Sequence, residues 1–301
     1  MSEVVVVGGG IIGSLIAYRL CQAGLEVTLL EAGKAGQATQ ASAGMLAPYA
    51  EGLGGELLEW AREGLECYPG LARELEAACG VRVPVVLSGV WSLERPLLQG
   101  WHTLRDLEPR PGGYLDPLRL LAAVQKAFVS LGGTVRAEEA QRLEPGWVHT
   151  LTQRIAARQI VIASGAWSGR FGLGVRPLKG EALLLAAPAP PGPVFAGAGY
   201  ALPRGRRVYL GATRREGWQP GVEAEGLRWL HRYRDAHFPH LHGAPVLQSR
   251  WGYRPAGPLT VRRLEPGILA ATGHGRNGIL LAPATARRVT AMVLESWKAR
   301  R

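Results

Sequence analysis

The chain has 301 residues, 47% of them hydrophobic and 20% charged, with a formal net charge of +11. That length supports an ample core in one or two domains, and the composition excludes a disordered chain. No run of eighteen apolar residues occurs, so no transmembrane span is expected, and the arginine-dominated charge lies in scattered pairs such as Arg206-Arg207, which argues against a nucleic-acid partner.

Met1-Ser2-Glu3 offers no basic leader, so a secretory signal is not expected. Glu3 to Val7 is a continuous β-branched run, as in a strand buried on both faces of a parallel sheet. Gly8-Gly9-Gly10-Ile11-Ile12-Gly13 makes a turn, and Ser14 to Cys21 has helical apolar spacing closed by Gly24. Leu25 to Leu30 is the next strand, with Glu31 at its end, completing a βαβ unit. Gln37 to Pro48 is small and polar without either period, a loop suited to lie along a long ligand.

Helices are expected over Glu56 to Cys67 and Leu71 to Cys79, then a strand or hairpin from Val81 to Leu93. Pro117 to Leu131 reads as an amphipathic helix, Thr134 to Ala137 as a short strand, and Gln159 to Ala163 as a buried strand ending in Ser164-Gly165. Residues 176 to 250 change character, with strand-like pieces at Leu183 to Ala187 and Val208 to Gly211, many prolines and a helix near Ala224 to Tyr233. Gly252 to Leu281 returns to strand, glycine-rich turn and a helix over Ile279 to Val289. The expected fold is α/β: a Rossmann-like domain from 1–80, 115–175 and 250–301, with an inserted, mostly antiparallel sheet domain from 81–114 and 176–249.

Cys21, Cys67 and Cys79 lack C-x-x-C spacing and are expected as reduced, buried thiols in a reducing, cytoplasmic setting. His237, His240 and His242 flank Pro239 without a nearby cysteine or carboxylate pair, so a surface loop and no metal is expected there.

A lone G-x-G-x-x-G is weak evidence, but here the glycines follow a strand, open a helix, and precede an acid at the end of the second strand. Gly8 permits the tight turn, Gly10 a close approach of pyrophosphate, and Gly13 close packing of helix on sheet. Amides at the helix start hold phosphates, and Glu31 suits the hydroxyls of an adenosine ribose. These features leave FAD and NAD open.

Five motifs in order then carry a resemblance. GGGIIG, ASAGMLAP at 41–48, VIASGAWSG at 161–169, VRPLKGE at 175–181 and ATGHGRNGILLAPATA at 271–286 make the chain resemble the D-amino acid oxidase family of flavoenzymes. Within it, the likeness is to the glycine oxidases of thiamine biosynthesis, nearly end to end. The resemblance implies non-covalent FAD, with no cysteine or histidine at 250–257 for attachment. It sets Ile11 and Ile12 at the pyrophosphate, Glu31 and Ala32 at the ribose, and Ala38, Thr39, Ala43, Gly44 and Met45 along the diphosphate-to-flavin stretch. The adenine contact falls on the backbone near Gln141, and Gly165 ends a strand beside the cofactor.

The glycine-bearing approach to the last helix, His274-Gly275-Arg276-Asn277-Gly278 followed by Ile279 and Leu280, is expected to turn amides toward the flavin, where negative charge develops. The resemblance further implies that Arg276, Arg254 of Trp251-Gly252-Tyr253-Arg254-Pro255, and the Tyr200 hydroxyl contact the substrate carboxylate. A planar guanidinium holds a carboxylate bidentately. On that resemblance, hydride transfer to flavin N5 is expected to give an imine, hydrolysed to a 2-oxo acid and ammonia, with dioxygen reduced to hydrogen peroxide. No side-chain base is nominated.

Three departures stand out. The segment after the arginine is shortened to Ala256–Val261, Gly275 replaces the usual phenylalanine, and Arg214-Arg215 follows Gly211-Ala212-Thr213. An outward Arg214 is the simpler expectation; an inward one favours a longer, acidic substrate. The alternatives left open are a D-amino acid or sarcosine oxidase, a quinone-linked dehydrogenase, and a flavin-binding protein without turnover. The resemblance implies a homo-oligomer.

Overall fold

The N-terminal valine run does what its composition requires. In the computed structural model, which describes residues 2–298, it forms β1 (Ser2–Val7), with Val4, Val5 and Val6 wholly inaccessible to solvent. Met1, part of the N-terminus read for a leader, and residues 299–301 lie outside the described residues. α1 (Ile11–Gln22) and β2 (Val27–Leu30) complete the βαβ unit. The chain continues through β3 (Met45–Leu46), α2 (Gly55–Cys79), β4 (Val85–Val86), β5 (Trp91–Leu93) and β6 (Gly113–Leu115). Then come α3 (Pro117–Ser130), β7 (Thr134–Arg136), β8 (Arg142–Glu144), β9 (Trp147–His149) and β10 (Arg154–Ile162). α3 begins where Asp116 Oδ1 accepts from the amides of Leu118 and Arg119, beside Pro117 in the first turn.

The second half begins with β11 (Arg176–Leu185), β12 (Val194–Ala196), β13 (Gly199–Arg204), β14 (Arg207–Gly211) and β15 (Arg215–Glu216). It ends with α4 (Ala224–His237), β16 (Val246–Ala256), β17 (Thr260–Glu265), β18 (Ile268–Thr272) and α5 (Gly278–Lys298).

One sheet runs β17-β18-β10-β1-β2-β7, parallel from β18 to β7 and antiparallel at β17. Side chains alternate across it, as the strand period demands. Val4 and Val6 face a core shared with α1, α2, α3 and α5, whereas Val5 and Val7 join Val148, Ile155 and Ile160 beneath the β8–β9 hairpin. The other large sheet runs β15-β11-β14-β13-β12-β5, with β16 also paired antiparallel to β11. Leu183 and Leu185 turn to α4, while Ala182 and Leu184 pack with Tyr209 and Ala43 on the opposite face. The fold is thus α/β, with a Rossmann-like sheet and a mostly antiparallel one.

Three expectations are corrected. The two helices expected over 56–79 are one, α2, which continues through Pro69. Pro69 removes a donor, but the buried stripe Tyr68, Leu71, Leu75 carries on past it, and tertiary packing outweighs the local loss. The strand or hairpin expected from Val81 to Leu93 is divided: β4 pairs with β6, and β5 pairs parallel with β12 in another sheet. The cysteines are free but not buried, Cys67 being exposed and the other two half-buried, because position 67 falls off the buried stripe of α2. Among the described residues no helix is long and apolar enough to cross a membrane. The loop histidines diverge: His240 packs edge-on to Trp101, and His242 pairs with Asp235 at 3.1 Å.

Candidate active site

One cavity of about 1070 Å³ reaches from Glu31, at the end of β2, to Arg254 on β16. Gly8, Gly10, Ile11, Ile12, Glu31, Ala32, Ala38, Thr39, Ala43, Met45 and Gly165 line it, as do all residues from His274 to Ile279. Of the remaining expected cofactor residues, Gly13, Gly44, Gln141 and Leu280 are not in its wall. Gly13 is needed for packing: a Cβ there would stand 1.9 Å from the Gly8 carbonyl oxygen, so α1 could not lie so close to β1. Gly44 has φ +74° and abuts the Leu115 carbonyl. The Gln141 amide donates to His149 at 2.7 Å, its side chain accepts from Arg170 at 2.8 Å, and the neighbouring Ala140 lines the cavity instead. Leu280 is buried, its carbonyl against Gly64 of α2.

The start of α1 shows how the turn is held. Glu31 Oε2 accepts from the Gly9 amide at 2.8 Å, and Oε1 accepts from Gly33 at 2.7 Å and Gln37 at 2.9 Å. Thr39 Oγ1 accepts from the Ile11 amide at 3.1 Å. Two donors of the turn are therefore taken by the protein itself, and the loop 37–45 is anchored to the helix start by Thr39.

On the opposite wall, neighbouring strands present the carboxylate-binding candidates. Tyr200 on β13 pairs with Gly211 on β14, Gly211 with Ala182 on β11, and Leu178 of β11 with Arg254 on β16. Arg254 Nη1 donates to the Thr213 carbonyl at 3.1 Å. Burial pushes the Tyr200 phenol above its usual value, with the Arg254 charge opposing. Arg276 lines the same cavity but is paired with an acid, Glu51. Its Nε meets the Glu51 carboxylate, its Nη2 donates to the Glu51 carbonyl at 3.3 Å, and its side chain is 53% exposed. Burial raises the Glu51 carboxyl, against the charges of Arg276 and then Arg254. Sequence reading missed Glu51 because a lone acid among the small and apolar residues of 47–54 carries no motif or spacing signal.

The Gly-rich approach to α5 is also more specific than its composition suggests. The Gly275 amide donates to Pro255 at 3.0 Å and the Asn277 amide to the His274 carbonyl at 3.0 Å, so these two are not free for a ligand. Gly278 and Ile279, in the first turn of α5, line the cavity, and a helix's first turn carries amides without intrahelical partners. His274 is buried, its Nε2 3.0 Å from Thr285 Oγ1, and burial lowers its pKa to about 4, so it is neutral. Arg214 is exposed at the cavity rim, whereas Arg215 turns inward to Glu181 and Glu223, at 2.7 Å from each.

These residues suit FAD: the acid-tethered glycine turn, a loop along the cavity and a helix start at its far end all belong to one elongated space. Comparison with known proteins agrees. The family model described as DAO, FAD dependent oxidoreductase, matches residues 3–111 and 107–292. A glycine oxidase of Bacillus subtilis is 31% identical over 97% of this chain and 93% of its own. A bifunctional protein ThiO/ThiG of Synechocystis is 31% identical over 98% of this chain, which spans 52% of that protein, about half its length. The crystal structure of glycine oxidase from Geobacillus kaustophilus superimposes with a TM-score of 0.87, at 28% identity, covering 98% of this chain and 95% of that one. With its sequence matched almost throughout and a cavity shaped for a dinucleotide, the chain belongs to the DAO family of FAD dependent oxidoreductases.

Proposed function

We propose that this FAD-dependent amino acid oxidase acts on a small amino acid, glycine first, yielding a 2-oxo acid and ammonia, and that it serves thiamine thiazole formation. The carrying observation is Arg254, whose guanidinium stands in the cavity beside Tyr200 and, among the described residues, donates to one protein acceptor, the Thr213 carbonyl. Arg254 binds the substrate carboxylate bidentately, and the Tyr200 hydroxyl donates to it. Fixing the carboxylate fixes the α-carbon, and such positioning is the main protein contribution where a cofactor carries the chemistry. The chemistry FAD supplies when bound is acceptance of the α-carbon hydride and reoxidation by dioxygen to hydrogen peroxide. The α5 start, with Gly278 and Ile279 in the cavity wall, offers amides and a positive dipole end to developing negative charge. Neutral His274 behind it adds no competing charge.

A second reading rests on Arg214. It lines the cavity rim, and among the described residues no acid pairs with it, which favours an amino acid with a second acidic group.

The test is anaerobic mixing of the yellow protein with glycine, sarcosine, D-alanine and D-aspartate, followed by air and a peroxide assay. Bleaching fastest with glycine and peroxide on reoxidation supports the first reading, and fastest bleaching with D-aspartate the second. Bleaching by none of them would remove both.

A further inference from the structure

We infer that Lys179-Gly180-Glu181 on β11 is the positioning element of the carboxylate clamp: Gly180 provides the slot for the Arg254 guanidinium, and Glu181, through Thr213, fixes the carbonyl that orients it. The inference rests on reading Arg254 as the clamp.

The strand period puts Gly180 on the cavity face, and Lys179 and Glu181 on the other, where they are 0% and 1% exposed. An ideal Cβ at position 180 would lie 2.3 Å from Arg254 Nη2 and 2.5 Å from both Cζ and Nη1. The guanidinium therefore lies flat on the bare backbone of residue 180. Gly180 is not among the glycines with positive φ, so the backbone conformation does not call for glycine; the space does.

Burying charge on the far side of this strand is costly unless every group is partnered. Here Glu181 accepts from Arg215 at 2.7 Å, from the Glu223 amide at 2.8 Å and from Thr213 Oγ1 at 3.0 Å, with Lys179 Nζ at 3.4 Å. Lys179 Nζ also reaches Glu223 at 2.5 Å. Gly226 at the start of α4 leaves room for this carboxylate, since a Cβ there would meet Glu181 Oε2 at 1.7 Å. What the network holds is Thr213. Its amide donates to the Glu181 carbonyl at 3.1 Å, and its hydroxyl accepts from the Glu181 amide at 2.8 Å while donating to the Glu181 carboxylate. The group left over is the Thr213 carbonyl, and it takes Arg254 Nη1. With one donor spent there, the rest of the guanidinium fork remains for a ligand.

The test uses the flavin-loaded protein. Gly180→Ala displaces only the mobile end of an arginine, so it is expected to fold, hold FAD and melt within about 3 °C of the parent. Its dissociation constant for acetate, read from the flavin absorbance, and its KM for glycine are expected to rise about tenfold or more, the loss tied to a misplaced charged hydrogen bond, with kcat falling less. In an Arg254→Ala background, adding Gly180→Ala is expected to change neither. Thr213→Val is expected to weaken acetate similarly and Thr213→Ser to restore it, because the side-chain contacts of Thr213 to Glu181 are made by its hydroxyl, which serine keeps. Parent-like acetate binding in Gly180→Ala, or losses that add to those of Arg254→Ala, would overturn the inference while leaving the clamp in place. A parent protein that binds acetate no better than Arg254→Ala would overturn the clamp and the inference together.

Discussion

Arg276 and Glu51 are locked together across the cavity wall, the guanidinium Nε against the carboxylate and Nη2 on the Glu51 carbonyl at 3.3 Å. The resemblance sets Arg276 at the substrate; in this structure an internal acid occupies it. Glu51 also bears on Arg254, so its negative charge opposes an incoming carboxylate. Glu51→Gln is expected to tighten acetate by about fivefold at pH 8, on the order of the ~1 kcal/mol between unit charges at ~4 Å in water.

The same pair sets a pH dependence. Burial raises the Glu51 carboxyl, so as pH falls it takes a proton before ordinary glutamates do, and Arg276 loses its counter-charge. Acetate affinity is expected to rise toward acid pH in the parent and to be flatter in Glu51→Gln. Acetate titrations between about pH 6 and 8, above the ordinary glutamate value of about 4.3, check both. A flat parent profile counts against Glu51.

Arg254→Lys replaces a planar fork by a point donor. Substrate capture is expected to weaken by roughly 1.5–3 kcal/mol, with FAD content unchanged. Steady-state kinetics with glycine and the visible spectrum read the two effects separately.

His274 gives stability its own acid limit. Its folded pKa is lowered to about 4 by burial, from the ordinary imidazole value of 6.5. The folded state therefore binds fewer protons, and stability is whole above the unfolded value and drains away as pH falls from there toward 4. The full difference is about 3 kcal/mol at ~1.36 kcal/mol per pH unit. Urea unfolding at pH 7 and pH 4 is expected to show a smaller acid loss in His274→Gln than in the parent. Equal losses in the two proteins would show that His274 contributes nothing to it.

Gly13→Ala tests the turn itself. The added methyl meets backbone, the Gly8 carbonyl, which cannot swing aside as a side chain can. Overpacking of this kind costs roughly 1–3 kcal/mol, and α1 moving off β1 is expected to leave a colourless or weakly coloured protein. Full flavin content with an unchanged melting temperature would contradict it.

Sequence alone determined the parts that depend on near neighbours. The valine run, the Gly8-to-Gly13 turn and Glu31 lie within about thirty residues, and strand period, glycine spacing and helix caps are local properties. Arg254 and Tyr200 could be named from their motifs, and both line the cavity. The unity of α2 was not legible, because Pro69 is a local break while Tyr68, Leu71 and Leu75 find their partners elsewhere in the chain. Nor was the division of β4 from β5, whose partner strands come later in the sequence. Only the tertiary structure decided that Glu51 meets Arg276 across 225 positions, that Arg215 turns in while Arg214 stays at the rim, and that Gly180 lies under Arg254. Each depends on where a side chain ends in space relative to residues far along the chain, and no residue type or spacing encodes that.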